Sequence, residues 1–270
     1  MKFTEKRTLL AFMFIISLVH ATASKLLPLE IARQQLQPSV SDSLDSPRIV
    51  GGSAAGTNQF PHQVALLRSG KSLSCGGSLI HTKWVLTAAH CVSSGNQVIQ
   101  PSQITVLAGT VNLGKGGIRR SVRRIIPHER YGNFQNDIAL LELTQSYLPS
   151  SSIRTIPLAR SEIPAGSTVI ISGWGRLYAN GPLPSVLQYN RVTAVSNRDC
   201  IAQTGISSGL LCLKSAVNNG ACNGDSGGPA VYNNQLVGVA NFAINYCGSG
   251  APDGYAKVSD FVKWIESKVN

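Results

Sequence analysis

The sequence predicts an all-β protein, folded as a sandwich or a barrel, and two observations support this prediction. From Ile49 onward, short apolar runs alternate with stretches rich in Gly, Pro, Asn and Ser, which is typical of many short strands joined by turns. The chain of 270 residues is also 43% hydrophobic and only 14% charged, so it can bury a substantial core and is not disordered. The predicted strands include 63–67, 84–88, 104–108, 138–143, 168–172 and 235–240.

The end of the chain has a different spacing from the rest. Its apolar residues recur at the interval of a helix face, and Ser259 or Asp260 can cap the first turn. We therefore predict a C-terminal α-helix. The residues of its apolar face are Phe261, Val262, Ile265 and Val269.

The first 48 residues predict two segments that precede the folded unit. A short basic stretch leads into an uncharged apolar run over 9–19, and Ala21-Thr22-Ala23 follows, which is the pattern of an export signal over 1–23. A membrane anchor is the alternative, but this run is well short of the ~20 residues that a spanning helix needs. Residues 24–48 are rich in Pro, Ser and Asp and predict a flexible segment. We expect a secreted, extracellular protein.

Cysteine usage agrees with export. An even number of cysteines in an exported chain predicts three disulfides, although their spacing leaves the pairing open. No CxxC or clustered His/Cys pattern in the sequence suggests a zinc site, so we predict no structural metal. The cysteines are Cys75, Cys91, Cys200, Cys212, Cys222 and Cys247.

The chain is basic, with 24 Lys and Arg against 13 Asp and Glu, and residues 49–270 keep a net charge of +9. This balance favours contact with anionic surfaces but does not bear on the fold. One cluster of cations could bind polyanions or membranes, although a solvated basic loop is the simpler interpretation. Its members are Lys115, Arg119, Arg120, Arg123 and Arg124.

Three short segments carry the groups that acyl transfer requires. The reaction needs a nucleophile, a base to accept its proton, a group that orients the base, and donors for the developing oxyanion. The segment Leu86-Thr87-Ala88-Ala89-His90-Cys91 supplies His90, and Asn136-Asp137-Ile138-Ala139-Leu140 supplies Asp137. The segment Gly224-Asp225-Ser226-Gly227-Gly228-Pro229 supplies Ser226. Each residue alone is more often structural, but together they predict a catalytic triad.

These segments, in the chain order His, Asp, Ser, resemble the chymotrypsin-like (trypsin-like) serine proteases. The resemblance extends from Ile49 to the C-terminus. It includes Arg48-Ile49-Val50-Gly51-Gly52, Cys75-Gly76-Gly77-Ser78-Leu79-Ile80 and Ser172-Gly173-Trp174-Gly175. It implies two packed six-stranded antiparallel β-barrels, with the triad in the cleft between them. It also implies the disulfides Cys75–Cys91, Cys200–Cys212 and Cys222–Cys247.

The resemblance further implies an inactive precursor. The backbone N–H groups of Gly224 and Ser226 would form the oxyanion hole. Cleavage after Arg48 would free the amine of Ile49, which would then pair with Asp225. The chain would thus comprise a signal peptide over 1–23, an activation peptide over 24–48 and a catalytic domain over 49–270.

Substrate specificity departs from that of a simple trypsin. Gly220 stands where trypsins have the Asp that binds Lys or Arg, and Ala243 would narrow the pocket entrance slightly. Asp253 would enter the pocket from the opposite wall, as in the broad-specificity collagenolytic serine proteases of arthropods. Alternatively, the loop over 248–250 shifts the register and Asp253 faces solvent. Asn241 also replaces the Ser that in this family usually bonds the triad's Asp.

The predicted function is a secreted serine endopeptidase with broad or chymotrypsin- or elastase-like specificity, made as a zymogen and needing no cofactor. A non-catalytic homologue that serves as a binding or cascade cofactor is the alternative, but such proteins usually lack a triad residue. An esterase or lipase would require an α/β pattern. We predict no metal, and no calcium at the basic loop, because the loop offers almost no carboxylates.

The expected partners are protein or peptide substrates and an activating trypsin-like protease, with protein inhibitors left open. We expect a monomer that neither binds nucleic acid nor spans a membrane.

Overall fold

A computed structural model describes residues 49–94, 97–132, 134–206 and 208–269, and its regular structure is mostly strand. The predicted signal peptide and activation peptide, including Arg48, lie outside the described residues. The strands are β1 (Ser53–Ala54), β2 (Gln63–Arg68), β3 (Ser72–His81), β4 (Trp84–Thr87), β5 (Ser93–Ser94), β6 (Gln97–Val98), β7 (Ile104–Ala108), β8 (Ile118–Pro127), β9 (Ala139–Leu143), β10 (Thr168–Gly173), β11 (Gln188–Ala194), β12 (Leu210–Lys214), β13 (Pro229–Tyr232), β14 (Gln235–Phe242) and β15 (Asp253–Lys257). The helices are α1 (Asn197–Thr204) and α2 (Val258–Val269).

The strands form two antiparallel barrels. The first barrel closes in the order β2-β3-β4-β9-β8-β7. The second runs β11-β10-β13-β14-β15-β12 and closes through the pairing of β12 with β11, while β1 adds to the outside of β11. The predicted all-β class with two six-stranded barrels is confirmed.

Strand β2 shows how a two-residue period builds two cores at once. Val64 and Leu66 point into the interior of the first barrel. Ala65 and Leu67 point the other way, into a second cluster that includes Trp174 from the second half of the chain. All four β2 residues are almost fully buried, so the strand reads as a continuous apolar run.

Helix α2 closes the fold at the C-terminus. Its buried residues Phe261, Val262 and Ile265 belong to the same apolar cluster as the interior of the first barrel. The predicted C-terminal helix is confirmed, but its start is earlier than expected. Because the helix begins at Val258, the predicted caps Ser259 and Asp260 lie inside its first turn.

Two further elements correct the sequence analysis. The basic cluster over 115–124 is not a loop, since most of it lies in strand β8. Its side chains have partners on the barrel surface: Arg120 packs over the Tyr147 ring, and Arg123 and Arg124 pair with Glu142. Helix α1 was not predicted. Its signal is local: the Ser196 hydroxyl accepts the backbone N–H of Asp199 at the start, and Gly205 ends the helix with φ +70°.

The structure pairs the cysteines as the resemblance implied, in Cys75–Cys91, Cys200–Cys212 and Cys222–Cys247. In the part of the chain that the structure describes, no helix is both long and apolar enough to cross a membrane.

Candidate active site

The candidate nucleophile lies in a tight turn wedged between the two barrels. The carbonyl of Ser226 accepts the N–H of Gly76 on β3 at 2.7 Å, and the N–H of Gly227 donates to Ala240 on β14 at 2.8 Å. Gly227 has φ +75°, and a Cβ there would lie 2.7 Å from the Gly76 carbonyl oxygen. Only glycine fits this crossing, which holds Ser226 at the surface of the cleft.

The candidate base lies on the short 3-10 turn Ala89–Cys91 that follows β4. His90 Nδ1 lies 2.6 Å from Asp137 Oδ2, and the backbone N–H of His90 donates to Asp137 Oδ1 at 2.8 Å. Asp137 is only 2% exposed. Because the carboxylate accepts from both the ring and the backbone of His90, it fixes the orientation of the ring and the Nδ1–H tautomer.

The disulfide Cys75–Cys91 ties the residue after His90 to strand β3, and β3 also bonds the Ser226 turn through Gly76. Ser226 Oγ and His90 are not hydrogen-bonded to each other in the described structure, and His90 Nε2 lies 3.8 Å from Cys91 Sγ. Nucleophile–base hydrogen bonds are often long without substrate and tighten in the complex. The structure thus brings the three predicted triad residues to the boundary between the barrels.

Asp225 lies directly behind the nucleophile and is 4% exposed. Its carboxylate accepts the N–H of Gly175 at 2.7 Å and the N–H of Cys222 at 2.9 Å. Burial raises the pKa of Asp225 to about 6, and the two backbone hydrogen bonds offset part of that rise. A Cβ on Gly173 or Gly175 would overlap this carboxylate, which gives a physical reason for the Ser172-Gly173-Trp174-Gly175 segment.

Ile49 lies next to this carboxylate. Its side chain is fully buried, and Ile49 and Asp225 line the same small internal cavity with Ile171, Pro229 and Tyr255. No cationic side chain in the described ranges pairs with Asp225. The chain therefore buries an acid without a counter-charge beside the residue that would become the new N-terminus.

A cavity of about 440 Å³ opens beside Ser226. Asp253 and Ala243, two of the predicted specificity residues, line it, and so does Ala221. The third, Gly220, lies behind Asp253, where an added Cβ would come within 2.9 Å of the Asp253 carboxylate. The structure thus places Asp253 and Ala243 in the wall of the cavity beside the nucleophile, and Gly220 outside that wall.

Asp253 is 7% exposed, and its Oδ2 accepts the N–H of Ala221 at 3.1 Å. Burial raises the pKa of Asp253 to about 7, and the negative charge of Asp225 raises it further, while the Ala221 hydrogen bond lowers it.

The predicted oxyanion hole includes the backbone N–H of Gly224. The backbone at Gly224 has φ +105°, a conformation that favours glycine.

An aromatic pair at the rim of the cleft was not predicted from the sequence. Phe134 and Phe242 meet edge to face, with ring centroids 5.5 Å apart, and Phe242 lines the cavity. Asn241 does not bond Asp137; its side-chain amide donates to the carbonyl of Phe134 at 3.0 Å. No local signal in the sequence marks Phe134, because it lies in a turn far from Phe242 along the chain.

Comparisons with known proteins agree with this geometry. Residues 49–265 match the family model described as Trypsin. The chain is 64% identical over 220 residues to "Serine protease SP24D" of Anopheles gambiae, covering 82% of this chain and 80% of that protein. It is 39% identical over 228 residues to "Trypsin delta" of Drosophila melanogaster, covering 82% and 88%. The solved structure of mouse neuropsin, a serine protease expressed in the limbic system, superposes with a TM-score of 0.74 at 29% identity, covering 81% of this chain and 99% of that one.

Two closed antiparallel barrels with a His, Asp and Ser at their boundary define a chymotrypsin-like serine protease. The chain belongs to the trypsin family, and it is a serine endopeptidase.

Proposed function

We propose that the chain is the precursor of a secreted endopeptidase that hydrolyses proteins through an acyl-enzyme on Ser226. The observation that carries this proposal is the His90–Asp137 pair, joined at 2.6 Å, at the same barrel boundary as the Ser226 turn. An export-type sequence over 1–23 supports secretion.

In the proposed reaction, Ser226 Oγ attacks the substrate's carbonyl carbon as His90 Nε2 accepts the hydroxyl proton. Asp137 stabilises the imidazolium that forms, and the N–H groups of Gly224 and Ser226 bind the oxyanion. The C–N bond then breaks as His90 returns the proton to the leaving amine. Water repeats the cycle on the ester, with His90 again as base, and releases the acid and free Ser226.

Activation is proposed to occur by cleavage between Arg48 and Ile49. The buried Asp225 carboxylate lacks a cationic partner in the described structure, and Ile49 lines the same cavity. A protonated α-amine at Ile49 would neutralise this acid. Because leaving a buried charge unpaired costs several kcal/mol, the loop that carries Gly224 and Ser226 would be fully stable only after cleavage. The activating enzyme must cleave after Arg, as a trypsin-like protease does.

Specificity is proposed to be broad, because the cavity beside Ser226 has mostly uncharged walls and two acids, Asp253 and Asp225, of which Asp225 is the proposed partner of the Ile49 amine. Ala221, Ala243 and Phe242 offer apolar contacts, while Asp253 offers a carboxylate. An apolar side chain would fill the cavity, and Lys or Arg would in addition pair with Asp253. The arrangement therefore favours substrates with either kind of residue before the scissile bond.

The test is cleavage of a peptide library by protein activated at Arg48–Ile49. Peptides carry Arg, Lys, Leu, Phe or Ala before the scissile bond, and the enzymes compared are wild type, Asp253→Gly and Asp199→Asn. Asp199 is an exposed acid on α1 and serves as the matched control. We expect the wild type to cleave both classes, and Asp253→Gly to lose Arg and Lys selectively by about 100-fold, since a buried charge pair is removed.

Cleavage of apolar residues alone, unchanged by Asp253→Gly, would show a chymotrypsin- or elastase-like enzyme. Complete loss of hydrolysis in the activated wild type, together with failure of Ser226 to react with a phosphonyl fluoride, would instead favour the non-catalytic homologue.

A further inference from the structure

Asparagine is followed directly by glycine at three places in the chain, and the structure places the three pairs in different surroundings. In such a pair the backbone nitrogen of the glycine can attack the side-chain amide of the asparagine, because the glycine has no Cβ that blocks the approach. The attack needs an asparagine side chain that is free to turn and a glycine N–H that has no acceptor. The pairs are Asn180-Gly181, Asn219-Gly220 and Asn223-Gly224.

In two of the pairs the glycine nitrogen is already hydrogen-bonded. The N–H of Gly181 donates to the carbonyl of Tyr178 at 2.8 Å, and the N–H of Gly220 donates to the carbonyl of Val50 at 3.0 Å. The side chain of Asn219 is held as well, since its Oδ1 accepts a neighbouring side-chain amide at 3.0 Å. Attack by either glycine nitrogen would first have to break a backbone hydrogen bond.

The third pair, Asn223-Gly224, meets both conditions. Asn223 is exposed, and within the described ranges its side chain makes no hydrogen bond. The Gly224 N–H likewise has no acceptor among the described residues, as a donor of the predicted oxyanion hole requires. Position 224 also favours glycine, because its φ is +105° and an added Cβ would lie 3.1 Å from the Cα of Gly175. The backbone geometry predicted for catalysis thus creates a reactive Asn-Gly pair.

We propose that Asn223 is a self-modification site, at which the Gly224 nitrogen attacks Asn223 Cγ and ammonia is released. The nitrogen gives its proton to a base from the solvent as the N–Cγ bond forms. The Cγ–Nδ2 bond then breaks, and the departing nitrogen takes up a proton. Water opens the resulting cyclic imide either at Cγ, which leaves an aspartate, or at the backbone carbonyl carbon, which leaves an isoaspartate.

The two products should affect the proposed oxyanion hole differently. The aspartate keeps the backbone and adds a negative charge beside the place where the substrate's oxyanion forms. The isoaspartate inserts a carbon atom into the main chain directly before the Gly224 nitrogen, so the N–H is displaced. These effects on catalysis rest on the proposed function, whereas the release of ammonia does not. An acceptor in the oxyanion hole should also protect the pair, because it engages the Gly224 N–H.

The experiment compares two activated proteins that cannot digest themselves. In Ser226→Ala the proposed oxyanion hole is empty, and in wild type treated with a phosphonyl fluoride the phosphonyl oxygen on Ser226 should occupy it. Both are incubated at mildly alkaline pH and sampled over time. The masses of proteolytic peptides give the conversion at each Asn-Gly pair, and an isoaspartate-specific methyltransferase labels the isoaspartate. The same chain, reduced and unfolded in urea, gives the rate of each pair without structure.

In folded Ser226→Ala we expect Asn223 to convert about fivefold or more faster than Asn180 and Asn219, the factor that one backbone hydrogen bond gives. In the unfolded chain the three pairs should react at similar rates. Phosphonylation should slow Asn223 by about fivefold or more for the same reason, and should leave the other two pairs unchanged. Asn223→Gln should show no conversion at this position, because the larger ring that a glutamine must form closes slowly.

Loss of activity is measured on activated wild type and Asn223→Gln incubated side by side, each relative to its own starting kcat. Wild type should lose activity in proportion to its isoaspartate, because the loss of one oxyanion donor costs about 100-fold or more in kcat. Asn223→Gln should decline only through self-digestion, which both enzymes share. Asn223→Asp reproduces the aspartate product alone and should stay active, since water and salt screen an exposed charge.

Equal conversion of the three pairs in folded Ser226→Ala would overturn the proposal. Conversion of Asn223 at the same rate with and without the phosphonyl group would contradict the role of the free Gly224 N–H. Isoaspartate that accumulates without loss of kcat would overturn its effect on the oxyanion hole. An activated wild type that hydrolyses no substrate would count against the proposed function, but the conversion of Asn223 measured by mass would still stand.

Discussion

The buried acids of the two barrels differ in their hydrogen-bond and ion-pair partners. In the first barrel, Asp137 contacts His90, and the carboxylate of Glu142 contacts three cations, from Lys83, Arg123 and Arg124. In the second barrel, the carboxylates of Asp225 and Asp253 accept hydrogen bonds, among the residues that the structure describes, only from backbone N–H groups. Neither of these two acids pairs with a cationic side chain in the described structure.

The overall charge distribution does not explain this difference. Residues 49–143 carry nine Lys and Arg and three acids, and residues 144–270 carry nine Lys and Arg and six acids. Cations are therefore available to the second barrel, yet its two buried acids have none. Burial raises the pKa of Asp225 to about 6 and that of Asp253 to about 7. Each buried acid of the first barrel thus has a cationic or imidazole partner, whereas the two buried acids of the second barrel have none among the described residues; in the proposed scheme, the Ile49 amine and a basic substrate would supply them.

Asp137→Asn should have the largest effect on activity. The asparagine amide would face His90 Nδ1 with a donor or a weaker acceptor, and the ring would adopt the wrong tautomer. We expect kcat to fall by about 10⁴-fold at neutral pH with little loss of stability. Stopped-flow or steady-state hydrolysis of a peptide ester measures it.

The control for Asp137→Asn is Asp260→Asn, which alters an exposed acid in α2 that pairs with Lys257. A loss of less than tenfold in Asp137→Asn would mean that the 2.6 Å contact with His90 is not the orienting contact of the reaction.

Asp225→Asn, cleaved normally after Arg48, should lose activity by about 100-fold or more. The amide can still accept one backbone N–H, but it cannot pair with the Ile49 amine, and a buried unpaired cation costs about 3 to 5 kcal/mol. Hydrolysis rates, with N-terminal sequencing to prove cleavage, measure the effect. Asp253→Asn removes the other buried acid of the second barrel and should keep turnover of apolar substrates. Near-normal turnover of cleaved Asp225→Asn would contradict the proposal that pairing of the Ile49 amine with Asp225 activates the enzyme.

Patterns local in sequence were predictable, and contacts between distant segments were not. Short apolar runs bounded by turn residues located β2 and β7, and the triad segments stood out because each is a short contiguous motif. Strand β8 was missed because its four arginines obscure the apolar pattern, although the guanidinium of Arg120 lies over the Tyr147 ring. The tie between Asn241 and Phe134 spans 107 positions in the chain, so no spacing rule could reveal it.

The buried His62 should lower the stability of the folded protein at acid pH. It is buried, its Nε2 has no hydrogen-bond partner in the described structure, and desolvation lowers its pKa to about 4. The unfolded chain takes up this proton near pH 6.5, whereas the folded chain does so only near pH 4. Stability present above pH 6.5 is therefore lost as the pH falls towards 4, by up to about 3 kcal/mol.

Urea unfolding of wild type and His62→Phe at pH 7.5 and 4.5 measures the loss. The wild type should lose more stability than the variant between the two pH values, whatever their difference at pH 7.5. His128, whose pKa burial also lowers, contributes in the same direction to both proteins and cancels in the comparison. Equal losses would show that His62 has access to a proton or a partner in the folded state.

Asp253 should produce the smallest effect, a dependence of substrate preference on pH. In the empty cavity its carboxyl has a pKa of about 7, raised first by burial and then by the charge of Asp225. It faces the Ala221 N–H, Asp225 and the fully buried Tyr255, and none of these is a cation. Below pH 7 a basic substrate must displace the proton of Asp253, whereas an apolar substrate need not.

The ratio of kcat/KM for Arg to that for Leu before the scissile bond should therefore fall as the pH is lowered, by one factor of ten for each pH unit below the pKa of Asp253, which is at most about tenfold between pH 8 and pH 6. Because both substrates use His90 alike, its titration cancels from the ratio. Activation places the Ile49 amine against Asp225 in the proposed scheme, and the loss of that negative charge should move the transition to lower pH. In Asp253→Gly the ratio should be constant from pH 5 to pH 8. A constant ratio in wild type as well would show that another group already neutralises the charge of Asp253 before substrate binds.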